Sequence, residues 1–349
     1  MEILDFIKKN LINFSPYTSA RSEFKGTDGI FLDANENPYG KWNRYPDPYQ
    51  NSLKNQLAFI KKISPEQIFL GNGSDEVLDV LMRIFLEPNQ DSILIFPPTY
   101  GMYEVLANIN QITIHKIPLN DEFQLDITKI KNFLSENQPK MAILCSPNNP
   151  TGNLLINIKE FLEIFHGIVV IDEAYIDFAH DHSFLKNLSS YPQVIISQTF
   201  SKAWGLAGVR VGMAFADPKI IHFMNAVKYP YNISSPNQKI VEKKLKHFEK
   251  FQDNLKKIFE NRDLLIQGLK NLKLVKKIFP TDANFVLIEV VDANNIYQKL
   301  LEFPVVVRNR HSQIPNTLRI TVGKKKEIKI LLKKLKEIEK IYEKKGFIY

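Results

Sequence analysis

Lys202 stands in the run Thr199-Phe200-Ser201-Lys202-Ala203-Trp204-Gly205, shortly after an apolar stretch, Val194-Ile195-Ile196, and eight positions before Arg210. A lysine amine that is desolvated or flanked by cations loses its proton near neutrality and can attack a carbonyl carbon. Most lysines are solvated surface groups, so Lys202 has to be weighed with the other reactive types in the chain. Asp172 ends the run Ile168-Val169-Val170-Ile171 and opens Asp172-Glu173-Ala174-Tyr175. A carboxylate at the end of a buried strand is costly unless a cation meets it. Gly71-Asn72-Gly73-Ser74-Asp75-Glu76 follows Ile68-Phe69-Leu70 and precedes Val77, Leu78, Leu81, Met82 and Phe85 at helical spacing. A glycine turn at a helix N-terminus offers free N–H groups and the positive dipole end to a phosphate. It is not a dinucleotide fingerprint, because Glu76 stands where the third glycine belongs. In Pro97-Pro98-Thr99-Tyr100, prolines hold a tyrosine that could stack on a planar ring. Ser146-Pro147-Asn148-Asn149-Pro150 fixes a neutral donor, with Asn149-Pro150 a candidate cis peptide, and Tyr175 adds a hydroxyl.

Each of these groups closes an apolar run. The runs are Ile68-Phe69-Leu70, Ile93-Leu94-Ile95-Phe96, Ile112-Thr113-Ile114, Met141-Ala142-Ile143-Leu144, Ile168-Val169-Val170-Ile171, Val194-Ile195-Ile196 and Val211-Gly212-Met213-Ala214-Phe215. Seven such runs with helical patterns between them predict an α/β unit around a seven-stranded, largely parallel sheet. In sheets of that kind ligands bind at the carboxyl ends of the strands. The expected large unit covers residues 41–240. A smaller α+β unit is expected over 241–349, with one or two helices over 239–272, strands near Asn284-Phe285-Val286-Leu287-Ile288 and Leu318-Arg319-Ile320-Thr321-Val322, and a terminal helix. Residues 1–40 read as an arm that joins the smaller unit: a helical stretch with Leu4, Ile7 and Leu11, a polar segment to about residue 30, and a short strand at Ile30-Phe31-Leu32. A further helix is expected over 51–62, stopped by Ser64-Pro65.

Composition narrows the classes of function. The chain has 349 residues, 44% apolar and 24% charged, as in a soluble globular protein. The net charge of +8 is concentrated in the last turns, where residues 324–345 hold ten lysines and four glutamates. Ile328, Leu331, Leu332, Leu335, Ile338, Ile341 and Tyr342 there recur at helical spacing, so the lysines form the solvated face of an amphipathic helix. No stacking aromatics interleave with them, which argues against nucleic acid as a partner. No apolar run is long enough to span a membrane, and residues 1–10 lack the pattern of a signal peptide. One cysteine, Cys145, precludes an internal disulfide and suits the cytoplasm. Seven histidines without ligand spacing offer no metal site.

Taken together, the strand-end residues match the needs of one cofactor, pyridoxal 5′-phosphate. Its aldehyde would bond Lys202, and its phosphate would take the glycine turn and Arg210. Its ring would stack on Tyr100, its pyridinium would pair with Asp172, and its phenolate oxygen would accept from Asn149 and Tyr175.

The same motifs carry a resemblance. Ser15-Pro16-Tyr17, Asp33-Ala34-Asn35-Glu36-Asn37-Pro38, Arg44-Tyr45-Pro46, residues 71–76, Tyr100-Gly101-Met102-Tyr103, residues 146–152, Asp172-Glu173-Ala174-Tyr175, Ser201-Lys202-Ala203, residues 206–212 and Leu318-Arg319-Ile320-Thr321-Val322-Gly323 span nearly the whole chain. In them it resembles the fold-type I pyridoxal-phosphate transferases of the class II aminotransferase kind, most closely the histidinol-phosphate aminotransferases. The resemblance implies transamination between L-histidinol phosphate and 2-oxoglutarate, giving imidazole-acetol phosphate and L-glutamate. It implies that Lys202 binds the cofactor and moves the proton. It implies that Gly73, Ser74, Asp75, Thr199, Ser201 and Arg210 hold the cofactor phosphate. It further implies that Arg319 takes the glutamate carboxylate or the substrate phosphate, helped by Arg308, Tyr17, Asn35 and Tyr45, with Tyr45 reaching in from the second subunit of a homodimer. Arg310 lies close enough to Arg308 to compete for its role. Threonine-phosphate decarboxylases and aromatic aminotransferases use the same lysine chemistry on the same scaffold. An effector-binding regulator would need a DNA-binding domain, and about thirty residues ahead of the core are too few for a helix-turn-helix unit.

Overall fold

The computed structural model describes residues 2–18, 29–344 and 346, so part of the polar segment before residue 30 and Lys345 lie outside the described residues. Each of the seven apolar runs forms a strand: β1 (Ile68–Gly71), β2 (Ser92–Ile95), β3 (Thr113–Lys116), β4 (Met141–Cys145), β5 (Ile168–Asp172), β6 (Val194–Thr199) and β7 (Gly212–Phe215). Their order in the sheet is β1-β7-β6-β5-β4-β2-β3. All neighbours are parallel except β7, which runs antiparallel to β1 and β6. β4 and β5 are buried along their whole length. A strand covered on both faces must be apolar on both, which is why these segments read as continuous apolar runs.

Parallel neighbours need crossovers, and helices supply them. After a single turn, α1 (Lys9–Ile12), and α2 (Asn51–Lys61) come α3 (Ser74–Phe85), α4 (Met102–Ile109), α5 (Ile127–Leu134), α6 (Ile158–Ile164) and α7 (Pro218–Val227). One face of the sheet, with Leu144, Val169, Ile171 and Ile196, packs on Phe161 and Phe165. The other, with Ile143, Val170 and Ile195, packs on Val77, Leu81, Met82 and Phe85 of α3.

The smaller unit follows α8 (Ser235–Leu245) and α9 (Phe248–Lys270). It contains β8 (Val275–Ile278), β9 (Phe285–Val290), α10 (Ala293–Glu302), β10 (Arg308–Asn309), β11 (Thr317–Thr321) and α11 (Lys325–Lys344). Its sheet is antiparallel in the order β10-β11-β9-β8. α11 buries Ile328, Leu331, Leu335, Ile338 and Tyr342 in that unit's core. Among the described residues no helix is long and apolar enough to cross a membrane. The two units are stitched at the site: Phe285 of β9 belongs to the large core, and the Asp282 N–H donates to Gly152 O at 2.7 Å.

Two features of the N-terminal segment depart from the sequence reading. Ile3 and Ile7 are buried in the apolar layer of α3 and α7, and the Lys8 N–H donates to Ile84 O at 3.0 Å, so the start of the chain docks on the large unit and not the smaller one. Two apolar side chains four residues apart find their cover where α3 leaves apolar surface. Ile30-Phe31-Leu32 is not a strand: Ile30 is 92% and Leu32 89% exposed. A strand needs a ladder partner. Here the Arg44 guanidinium holds the segment instead, donating to Phe31 O at 3.1 Å and to Glu36 Oε2 at 2.6 Å.

Candidate active site

β6 runs fully buried to Thr199 and releases the chain at Phe200, which is fully buried. Trp204 is anchored by a stacked contact with Phe251, ring centroids 3.9 Å apart, and an edge contact with Phe200. Lys202 sits between these two aromatic anchors, which fix its backbone and leave its side chain free at the sheet end. Its Nζ lies 5.5 Å from the centre of the Tyr175 ring. Desolvation lowers its pKa, Arg319 lowers it further, and Asp172 and Asp75 oppose the shift. Its amine is thereby biased toward the unprotonated, nucleophilic form.

Asp172 closes β5 at 3% exposure. Tyr103, itself fully buried on α4, donates its hydroxyl to Asp172 Oδ2 at 2.6 Å, and the Ala174 N–H donates to Oδ1 at 3.1 Å. Burial pushes the Asp172 carboxyl above its ordinary value, while the Tyr103 hydroxyl pulls it back. Tyr103 was not singled out from sequence. Its signal was available as a second aromatic three positions after Tyr100, placed in the first turn of the helix that follows β2.

The phosphate cradle forms where α3 begins. Gly73 has φ +78°, and a Cβ there would strike the Arg210 guanidinium. Gly212, at the start of β7, passes so close that a Cβ would run into the backbone of Gly73 and Ser74. The first N–H groups of α3 have no helical acceptors and point outward with the dipole. Arg210, itself left-handed at φ +54°, donates to Asp75 Oδ2 at 3.3 Å, which holds the guanidinium over that turn. Thr199 Oγ1 accepts from the Ser201 N–H at 3.1 Å and lies 3.0 Å from Ser201 Oγ. Glu76, in the place of a third glycine, accepts from the Asn72 N–H and from Asn232 Nδ2, so it braces the turn.

These parts line one cleft, formed by Ser74, Asp75, Tyr100, Cys145, Asn149, Asp172, Ala174, Tyr175, Thr199, Ser201, Lys202 and Arg210. Tyr100 meets Tyr103 edge to face at 5.5 Å and offers its own ring to the cleft. Burial and the Asp75 and Asp172 carboxylates push its hydroxyl up to about 12, so it stays protonated. Asn149 follows β4 and enters a cis Asn149-Pro150 bond, as expected, and its Oδ1 accepts from Arg319 Nη1. Arg319 projects from β11 over the face of Phe285 at 5.1 Å, and Phe285 meets Tyr175 edge to face. Arg308 lies opposite Arg319 in the ladder. Tyr17, Asn35 and Tyr45 do not line the cleft: all three are exposed, and Tyr45 stacks on Tyr231 at 4.4 Å. Among the described residues no cluster of histidine, cysteine or carboxylate could hold a metal ion.

Pyridoxal 5′-phosphate fits this donor set. Asp172 is a buried carboxylate whose contacts are a neutral hydroxyl and an amide, and no cation pairs with it among the described residues. A protonated ring nitrogen would supply the missing charge. Lys202 has a depressed pKa. The α3 N-terminus, Thr199, Ser201 and Arg210 make an anion cradle that a phosphate monoester would fill.

Comparison with known proteins agrees with that fit. The family described as aminotransferase class I and II matches residues 25–335. The histidinol-phosphate aminotransferase of Flavobacterium johnsoniae is 46% identical over 343 residues, covering 96% of this chain and 98% of its own. The crystal structure of the histidinol-phosphate aminotransferase from Clostridium acetobutylicum superposes with a TM-score of 0.79 at 25% identity, covering 86% of this chain and 91% of that one. The Sinorhizobium meliloti histidinol-phosphate aminotransferase, solved with pyridoxal-5′-phosphate, shares the fold at TM-score 0.78 and 21% identity over 85% of this chain and 83% of that one. The chain belongs to the class I and II aminotransferases, in the histidinol-phosphate aminotransferase family.

Proposed function

We propose that the protein transfers the amino group of L-histidinol phosphate to 2-oxoglutarate, as the name of its 46%-identical relative implies. The observation that carries the chemistry is the pairing of an amine and a carboxylate in one cleft: Lys202 with a lowered pKa, and buried Asp172 without a cation. When bound, pyridoxal phosphate supplies an aldehyde that condenses with amines and a protonated ring that withdraws electrons from the substrate α-carbon. Asp172, held by Tyr103, would keep that ring nitrogen protonated. Tyr100 would cover the ring face, and Asn149 and Tyr175 would serve its oxygen substituent. The Lys202 amine, displaced by substrate, would take the proton from the substrate α-carbon and deliver it to the cofactor's former aldehyde carbon, on the other side of the shared nitrogen. A base poised near neutrality suits both directions of that transfer.

Arg319 supports the choice of substrates. A guanidinium fork accepts carboxylate or phosphate oxygens in one geometry, so one residue can serve glutamate in one half-reaction and the phosphate ester in the other. Tyr45 and Tyr17, exposed and outside their own cleft, are assigned to a homodimer in which Tyr45 enters the neighbouring site. A cytoplasmic setting completes the proposal, in keeping with the single, buried Cys145. Coupled assay of glutamate formed from L-histidinol phosphate and 2-oxoglutarate tests the substrate assignment. Product from an aromatic amino acid but not from L-histidinol phosphate, or release of carbon dioxide from a phosphorylated amino acid, would replace it with one of the related activities.

A further inference from the structure

Glu173 follows Asp172 and Gln198 precedes Thr199, so both side chains turn away from the cleft to the opposite face of the sheet, and neither lines it. There the Glu173 carboxylate, at 2% exposure, joins separate pieces of chain. Its Oε2 accepts from Gln198 Nε2 at 2.8 Å and from Ser183 Oγ at 2.7 Å, and its Oε1 accepts from the Phe184 N–H at 2.6 Å. Gln198 Oε1 in turn accepts from Lys61 Nζ of α2 at 2.7 Å. The connection from β5 to β6 is made of short 3-10 turns, Ile176–Phe178, His180–His182 and Phe184–Ser190. Such turns have poor hydrogen-bond geometry of their own, and the Glu173 carboxylate fastens them to the strands. The charged and titratable groups around it are Lys61 on α2 and Asp177 and His180 on the turns, with Lys62 and Lys186 lining the cavity beside Ser183 and Gln198. Burial pushes the Glu173 carboxyl up to about 7, against the pull of its three neutral donors and of Lys61. A carboxylate kept at such a cost between two strands that carry the site calls for a role beyond packing.

We propose that Glu173 is a positioning residue for the cofactor: its ionised carboxylate locks the end of β5 to the end of β6 and so sets Asp172 and Thr199 at the spacing that one ring and its phosphate require. The inference rests on the cofactor site alone and is independent of which amine is the donor. The backbone already pairs Asp172 with Ser197 and sends the Glu173 N–H to Ser197 O at 2.7 Å. The side chain adds the next tie, one residue short of Thr199. An ionised carboxylate accepts all three donors. A protonated one has an O–H of its own to place, so at least one donor loses its acceptor and the tie slackens. Proton and cofactor thereby compete through the sheet: ionisation favours the cofactor, and the cofactor favours ionisation, by the same factor.

The test follows hydrogen-exchange protection of the Phe184 amide across pH, in apoprotein and in cofactor-loaded protein, with pyridoxal phosphate affinity measured by equilibrium dialysis over the same range. In apoprotein the protection should be high above about 7 and fall below it, as the acceptor of that amide is protonated. Loading the cofactor should move this midpoint down by about one pH unit, and affinity should fall about tenfold as pH drops through the interval between the two midpoints. Ser183→Ala removes one donor from the carboxylate and should carry both the protection midpoint and the affinity step to higher pH. Glu173→Gln should lose the step in both measurements, and Glu173→Asp, which keeps the charge, should retain it. Should Glu173→Gln fail to fold, Ser183→Ala decides alone. Titration of Asp172 is told apart by Tyr103→Phe, which shifts the Asp172 limb and leaves the Phe184 midpoint of the apoprotein in place. A merely structural carboxylate would give one midpoint with and without cofactor, and that result overturns the inference. An affinity step that stays where it was in Ser183→Ala, while the Phe184 midpoint moves, overturns it as well.

Discussion

Replacing Tyr103 by phenylalanine removes one hydroxyl and keeps a fully buried ring. That hydroxyl is one of two donors to the Asp172 carboxylate, at 2.6 Å, the other being the Ala174 N–H at 3.1 Å. Burial already pushes the Asp172 carboxyl up, and Tyr103 is the largest influence drawing it down, so Tyr103→Phe raises it further. A hydrogen bond to a charged group contributes about 1.5–3 kcal/mol, which corresponds to roughly a ten- to hundredfold loss of affinity for a cofactor whose ring nitrogen needs the ionised carboxylate. The sign with pH follows. Cofactor binding that depends on ionised Asp172 is present above the carboxyl's pKa and is lost as pH falls through it. In the variant that acid limb moves to higher pH. Equilibrium dialysis of pyridoxal phosphate against apoprotein, repeated across pH, reads both quantities. A variant with wild-type affinity and an unmoved acid limb would refute the account of Asp172, whatever its turnover.

Three further substitutions probe separate parts. Lys202→Ala should abolish transamination and the visible band of protein-bound cofactor while circular dichroism stays native, since the backbone there is held by Phe200 and Trp204 and not by the lysine. Gly212→Ala forces a Cβ into the Gly73–Ser74 backbone, which should lower stability by about 1–3 kcal/mol and weaken cofactor binding at the phosphate; thermal melts and dialysis together check it. Tyr45→Phe should raise the KM for L-histidinol phosphate much more than it weakens cofactor binding, and mixing it with Lys202→Ala subunits should restore some turnover if Tyr45 serves the neighbouring site.

The strands and their ends were legible because a doubly covered strand has to be apolar throughout, and because Lys202, Asp172 and Asn149 are residue types that rarely follow such runs without purpose. The cis Asn149-Pro150 bond was readable from its proline. Other features depend on what the chain meets in space. Ile30-Phe31-Leu32 has the composition of a strand but does not form one, its Ile30 and Leu32 side chains exposed, since strand propensity alone does not build a ladder. Ile3 and Ile7 signal an apolar face without naming the surface that covers it, which is α3. Tyr103 looks like core packing in the sequence, and its role comes from the height at which α4 sets its hydroxyl against Asp172. Arg308 and Arg310 are equivalent in composition, and only the ladder to β11 and the buried Nε of Arg310 tell them apart.

The central claim is that Lys202 and Asp172 hold pyridoxal phosphate for amino transfer from L-histidinol phosphate. Its most direct test is the visible spectrum of the cofactor-loaded protein during titration with L-histidinol phosphate and then 2-oxoglutarate. The account predicts loss of the band of Lys202-bound cofactor, appearance of the pyridoxamine-phosphate band, and reversal on adding 2-oxoglutarate. A bound-cofactor band that L-histidinol phosphate leaves unchanged would contradict the substrate, and absence of any such band after adding pyridoxal phosphate would contradict the site itself.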